Sequence, residues 1–303
     1  MKPARNRDAD RNGGAVGSKP WRPFGGRTKL VVWALIAAGF AAAGHFVWTR
    51  VREHVAARDD YRLTSKDISI TPAPPWIRAD VKAEVIRDSL SSEPLSILDD
   101  RLVERIHQAF SLHPWVAKVE RVSKSHPAHV EVEIVYRRPV AMVEVTGGLL
   151  AVDGEGVLLP SNDFSPLEAR AYARISGIES TPLGMMGTKW GDPVVAGGAR
   201  IAEALQTIWG DLGLRRIRWA KPAADSDPSA PALFELITAA GNVVPWGAPP
   251  GSESAGEPTV QEKLLRIKAY IAQHGSLDDP MGGPKDLDLR RPDTAPRTAA
   301  RPN

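Results

Sequence analysis

The sequence predicts an α+β protein carried on one N-terminal transmembrane helix: a small β-α-α-β-β module, then a mostly antiparallel β domain with flanking helices. Three observations predict it. Leu30 to Trp48 is an unbroken apolar run. From Lys66 to Tyr136 the apolar spacing changes from alternating to helical and back to alternating. Beyond Pro139, short alternating segments are separated by glycine turns.

A chain of 303 residues has room for about two domains beyond an anchor. Its 39 basic residues nearly balance 36 acidic ones, so charge alone gives no nucleic-acid footprint. Cysteine is absent, which excludes disulfides, thiolate metal sites and cysteine nucleophiles.

Residues 1–29 form a basic tail with eight cations (Lys2, Arg5, Arg7, Arg11, Lys19, Arg22, Arg27 and Lys29) against two acids. Residues 30–48, with only His45 ionisable, have the length of about 19 residues that a hydrocarbon core requires. Thr28 is placed to cap the helix, and Trp33 and Trp48 sit at interfacial positions. A cleavable signal peptide cut near Ala41-Ala42-Ala43 is the rival reading, but the apolar run continues past those alanines. After it, Arg50, Arg52, Arg58, Arg62 and Lys66 alternate with Glu53, Asp59 and Asp60, so the bias in cations predicts an inside N-terminus. Residues 49–65 are a juxtamembrane linker, its charged part from Val51 to Arg62 continuing the helix.

The module spans 66–137. Lys66 to Thr71 alternates and is a strand that Pro72, Pro74 and Pro75 stop. Trp76 to Leu90 carries Ile77, Val81, Val85 and Leu90 at helical spacing, and Pro94 ends it. Asp99-Asp100 caps a second helix, Arg101 to Phe110, striped by Leu102, Val103, Ile106, Ala109 and Phe110. His113-Pro114 terminates that helix. Val116 to Ser123 and Ala128 to Tyr136 then form a hairpin, with Trp115 expected to plug the core between helices and sheet.

Residues 138–291 form the β domain. Ala141 to Val145, Leu149 to Val152 and Val157 to Leu159 are strands around Gly147-Gly148 and Asp153-Gly154. Pro193 to Trp209 becomes an amphipathic helix, Arg215 to Trp219 and Leu233 to Thr238 are strands, Gln261 to Ile271 is a helix, and Leu287 to Leu289 a last short strand. Ala220 to Ala232 and Pro245 to Pro258 read as long loops, and 292–303 as a disordered tail.

The chain from the anchor to about Arg290 resembles the bacterial cell-division family FtsQ, called DivIB in Gram-positive organisms, whose first external domain is a POTRA module. The resemblance rests on Leu95-Ser96-Ile97-Leu98-Asp99, His113-Pro114-Trp115-Val116-Ala117, Val119-Glu120-Arg121-Val122 and Arg137-Arg138-Pro139-Val140-Ala141. The last group is similar to the family's Glu-Arg-x-Pro-x-Ala signature, with Tyr136 standing where Glu is usual. Leu150 to Gly156 resembles its Leu-x-x-Asp-x-x-Gly stretch, and Lys263-Leu264 and Asp288-Leu289-Arg290 its closing features. The resemblance implies that Pro139 marks the crossing from the module's last strand into the β domain. It also implies a non-enzymatic scaffold at the division septum, with its domains outside the cytoplasmic membrane. Implied partners are FtsL-like and FtsB/DivIC-like coiled-coil proteins and, through them, septal peptidoglycan synthases.

Partners of such a scaffold would add a strand to an exposed sheet edge. The candidate edge is Asp286, Leu287, Asp288, Leu289 and Arg290. Family members continue past Asp-Leu-Arg with one more strand, which Arg291-Pro292 breaks here. No cofactor is expected. His113, His126 and His129 lack matching carboxylates for a metal, and the glycine pairs lack a phosphate-loop ending. Two alternatives stand beside the scaffold: a membrane-anchored cell-wall enzyme, which needs convergent acid, base or metal groups, and a POTRA-type assembly or chaperone module.

Overall fold

The computed structural model describes residues 26–56, 61–91, 94–221, 232–278, 284 and 287–292. The chain divides into two units, one ending at Val55 and one starting at Ala56. In the first, helix α1 (Gly26–Ala56) contains Leu30–Val51, 22 residues of mean hydropathy 2.0 with none of that face buried in protein. Its length and composition suit a membrane span. The helix starts before Thr28, which therefore lies in its first turn and does not cap it. It ends at Ala56, and Arg62 already belongs to a strand.

In the second unit, a 3-10 turn (Ser65–Asp67) shortens the expected first strand to β2 (Ile68–Ile70). A two-residue ladder that the sequence does not announce, β1 (Arg62–Leu63) on β3 (Leu95–Ser96), closes the chain's entry. The first helix begins only at Val81: Asp80 accepts from the Ala83 N–H at 3.0 Å, and α2 (Val81–Val85) continues as a π turn to Leu90. Helix α3 (Leu102–Ser111) starts under Asp99, whose carboxylate accepts from the Arg101 N–H at 2.9 Å and pairs with Arg105. Its stripe of Leu102, Ile106, Ala109 and Phe110 is buried, each large side chain contributing about 2 kcal/mol. The hairpin of β4 (Val116–Ser125) and β5 (His129–Tyr136) completes a three-stranded sheet ordered β2-β5-β4, with β2 parallel to β5.

After two arginines the chain enters a six-stranded sheet. Its strands are β6 (Pro139–Val145), β7 (Gly148–Asp153), β8 (Ala173–Ser176), β9 (Leu214–Ala220), β10 (Leu233–Thr238) and β11 (Val243–Gly247). Their order is β11-β10-β9-β8-β6-β7. The expected antiparallel pairing holds for three of the sheet's five pairs of neighbours, but β8 pairs parallel with both β6 and β9, so the sheet is mixed. Parallel neighbours require crossovers, and helices α4 (Pro166–Ala171) and α5 (Pro193–Leu205) supply them. Helix α5 lies close on the sheet because a Cβ at Gly197 or Gly198 would come within 3.0 Å of Phe234 or Ile175. Val157 and Leu158 make only isolated bridges, to Lys189 and Val152, instead of a strand. Helix α6 (Val260–His274) closes the described fold behind a Thr259–Glu262 capping box.

Two hydrophobic cores result, and β6 serves both. Met142, with Ala151 of β7, packs into the core of the first sheet, while Ala141 and Val143 belong to the second. A strand covered on both faces reads as a continuous apolar run, as Pro-Val-Ala-Met-Val does here.

Candidate functional site

Two places follow from the residues singled out by sequence: the crossing between the sheets and the β11 edge. At the crossing, the Arg137 N–H donates to the Trp115 carbonyl at 2.8 Å and the Trp76 indole donates to the Arg137 carbonyl at 3.1 Å. The Arg137 guanidinium donates to Asp153 Oδ2 at 2.7 Å, both side chains being largely buried at 16 % and 9 % exposure. Asp153 Oδ1 accepts from the Glu155 and Val157 N–H groups, forming the turn after β7. One carboxylate thus ties the turn to the arginine that precedes β6. Trp115 is fully buried in the first core, and its indole donates at 2.9 Å to Asp163, so it ties that core to the segment beyond the crossing.

The β11 edge is arranged around a proline. Asn242 accepts from the Thr238 N–H, so alternation turns the N–H and C=O of Val243 and the C=O of Pro245 away from β10. Proline has no N–H to leave unpaired, which suits an edge strand. Proline and glycine interrupt the strand pattern, so the sequence alone predicts a loop from Pro245, where the fold places the second half of β11. The Leu289 N–H donates to the Pro245 carbonyl at 3.0 Å. Leu287 and Leu289 are buried in the second core at 6 % and 0 % exposure.

The expected strand at 287–289 is therefore a turn laid along β11, and its backbone caps that edge instead of extending the sheet. Asp288 makes the turn, accepting from the Arg290 N–H and guanidinium; that pairing holds the Asp288 carboxyl below its ordinary range. Asp286 lies outside the described residues. Past β11, Glu257 accepts from the Ala248 N–H and from the fully buried Lys263, whose ammonium stands 4.9 Å from the Trp246 ring centre. That buried pair is the local partner of the Lys263-Leu264 motif. The other edge of the sheet, β7, is covered over Ala151 by the Leu159 N–H and the Ser161 hydroxyl.

No protein-family model and no curated protein matches this chain. The site therefore rests on geometry.

The histidines are separately engaged. His113 lies between Glu84 and the Trp115 N–H, His129 meets the Ser69 hydroxyl, and the His126 ring packs on Tyr61. Among the described residues, no group of three His, Asp or Glu side chains converges as a metal site would. The carboxylates of these two places are committed to turns and ion pairs. The Arg137–Asp153 pair had no signal in the spacing, since it joins residues of different elements.

Proposed function

We propose that this chain is a single-pass scaffold of the bacterial division machinery, of FtsQ/DivIB type, with a POTRA module and a β domain outside the cytoplasmic membrane. It performs no chemistry. It holds coiled-coil division proteins of the FtsL and FtsB/DivIC kinds near the membrane by adding one of their strands to an exposed edge, and so connects them to septal peptidoglycan synthesis. The observation that carries the reading is the crossing: the hairpin strand β5 runs through Arg137-Arg138 into β6, locked by Arg137 on Asp153. Those residues lie in two of the segments that carry the family resemblance. The apolar helix ahead of them supports a membrane anchor.

Partner binding falls to the open part of β11 at Val243 together with the adjoining turn of Leu287, Asp288, Leu289 and Arg290, where main-chain groups and charged side chains stand side by side. The test is co-expression of the tagged full chain with the FtsL-type and FtsB/DivIC-type proteins of its own organism, followed by purification in detergent. The expected result is recovery of a complex, and a fluorescent fusion gathered at midcell. Recovery of the chain alone, with an evenly distributed fusion, overturns the reading.

A further inference from the structure

A cleft of about 350 Å³ opens where the two cores meet. Four aromatic side chains line it: Trp76 from the first half, and Phe164, Tyr172 and Trp209 from the second. Phe164 stands edge-on to Tyr172 at 5.6 Å between ring centres. At the rim Arg78 forms a two-pronged pair with Glu168, while Asp163 receives the Trp115 indole and the Arg78 N–H. The Arg78 guanidinium is thus spent on Glu168, while Asp163 takes only backbone and indole N–H groups and has no ion pair among the described residues.

Two further groups are unspent. Neither the Tyr172 hydroxyl nor the Trp209 indole N–H has a hydrogen-bond partner among the described residues. Neither is sealed from solvent, the Arg137 Nε being the fully buried side-chain atom that lacks a partner. Burial, with Glu168 acting in the same direction and Arg138 against it, raises the Tyr172 pKa, so its hydroxyl stays a neutral donor.

These features select a ligand. An anion is opposed by the surplus carboxylate. A polyproline-type segment matches on three counts. Its rings stack on aromatic walls, its carbonyls have no internal partner and accept from indole and phenol donors, and its extended form is pre-ordered. A basic residue beside the prolines would meet Asp163, whose charge is not paired with a cation among the described residues.

We infer that the cleft between the two halves is a binding site for a proline-containing extended segment of a partner protein, flanked by an arginine or lysine. The site is separate from the β11 edge and does not depend on it.

The probe is an N-acetylated hexaproline ending in an arginine amide, titrated calorimetrically into the full chain in detergent micelles. Controls replace every proline by alanine, or the arginine by glutamate. Saturable binding of the proline–arginine peptide is expected. Tyr172→Phe and Trp209→Phe, which keep the rings and remove one donor each, should weaken it about two- to tenfold. The glutamate peptide should bind severalfold more weakly, a difference that about 0.5 M salt removes. Thermal midpoints equal to the parent's show that both variants fold. No saturable binding, equal binding of the alanine peptide, or unchanged affinity in both variants overturns the inference.

Discussion

The Trp115 indole donates to Asp163 across the seam between the sheets, 48 residues along the chain. Trp115→Ala in a fragment spanning 56–303 should cost about 3 to 5 kcal/mol, as large aromatic truncations in cores do. Urea unfolding followed by circular dichroism measures it. A fragment ending at Val145 lacks Asp163 and Phe164, so it should unfold at a lower urea concentration than the longer one. An equal midpoint would show that the seam contributes nothing.

Arg137 and Asp153 form a largely buried ion pair. Breaking such a pair from one side typically costs about 3 to 5 kcal/mol, because the remaining charge is stranded. Arg137→Met and Asp153→Asn should each destabilise. The double variant should lose less than the sum of the two, with a coupling of about 1 kcal/mol or more. Additive losses in a double-mutant cycle would mean that the two side chains act independently.

Val243→Pro removes an N–H that faces away from β10, and it should cut recovery of the proposed coiled-coil partners while leaving the fold's thermal midpoint close to that of Val243→Ala. Leu289→Pro is a different perturbation. It removes the bond to the Pro245 carbonyl and disturbs a fully buried leucine, so it should destabilise the β domain as well as weaken binding. Undiminished recovery with Val243→Pro would move the interface off this edge.

Two capping boxes predict acid sensitivity. The Ser165 hydroxyl and then its N–H lower the Glu168 pKa, and the Thr259 N–H and then its hydroxyl lower that of Glu262. A carboxylate with a lowered folded-state pKa stabilises fully above the ordinary glutamate range. That contribution is lost as pH falls through the folded-state value. The Glu262→Gln variant should therefore show a smaller drop in thermal midpoint between neutral and strongly acidic buffer than the parent. An identical drop in both would remove Glu262 from the account.

The natural chain has no cysteine, which makes topology simple to read. Cysteines placed singly at Ser18 and at the exposed Ser254 should differ toward a membrane-impermeant thiol reagent on cells with a permeabilised outer layer, position 254 alone being labelled. Labelling at 18 only would invert the orientation.

Much of the fold was legible where one face is buried and the other is wet. The α3 stripe and the β5 alternation are of this kind; β4 falls where expected, but two register shifts break its alternation. Strand β8 escaped notice because Ala-Arg-Ile-Ser is too short for a period to show, and its place between two parallel neighbours depends on distant segments. Leu-Asp-Leu at 287–289 does alternate in burial, yet the Asp288 side chain bonds the local backbone and makes a turn where a ladder was expected. The aromatic cleft gave no pattern at all. Trp76, Phe164, Tyr172 and Trp209 come from four separated stretches that only the tertiary fold gathers.

Strand β6 contributes side chains to both cores, and this has a consequence for amide exchange. If either half opened alone, the face of β6 that it covers would be stripped while the other face stayed packed. Local opening on one side is thus opposed by the packing on the other, and the backbone amides of 140–143 exchange with solvent only when both halves come apart together. The slowest protons of the two sheets should then share one exchange rate, marking the unit that follows the anchor helix as a single foldon whose centre is the strand just after the double arginine.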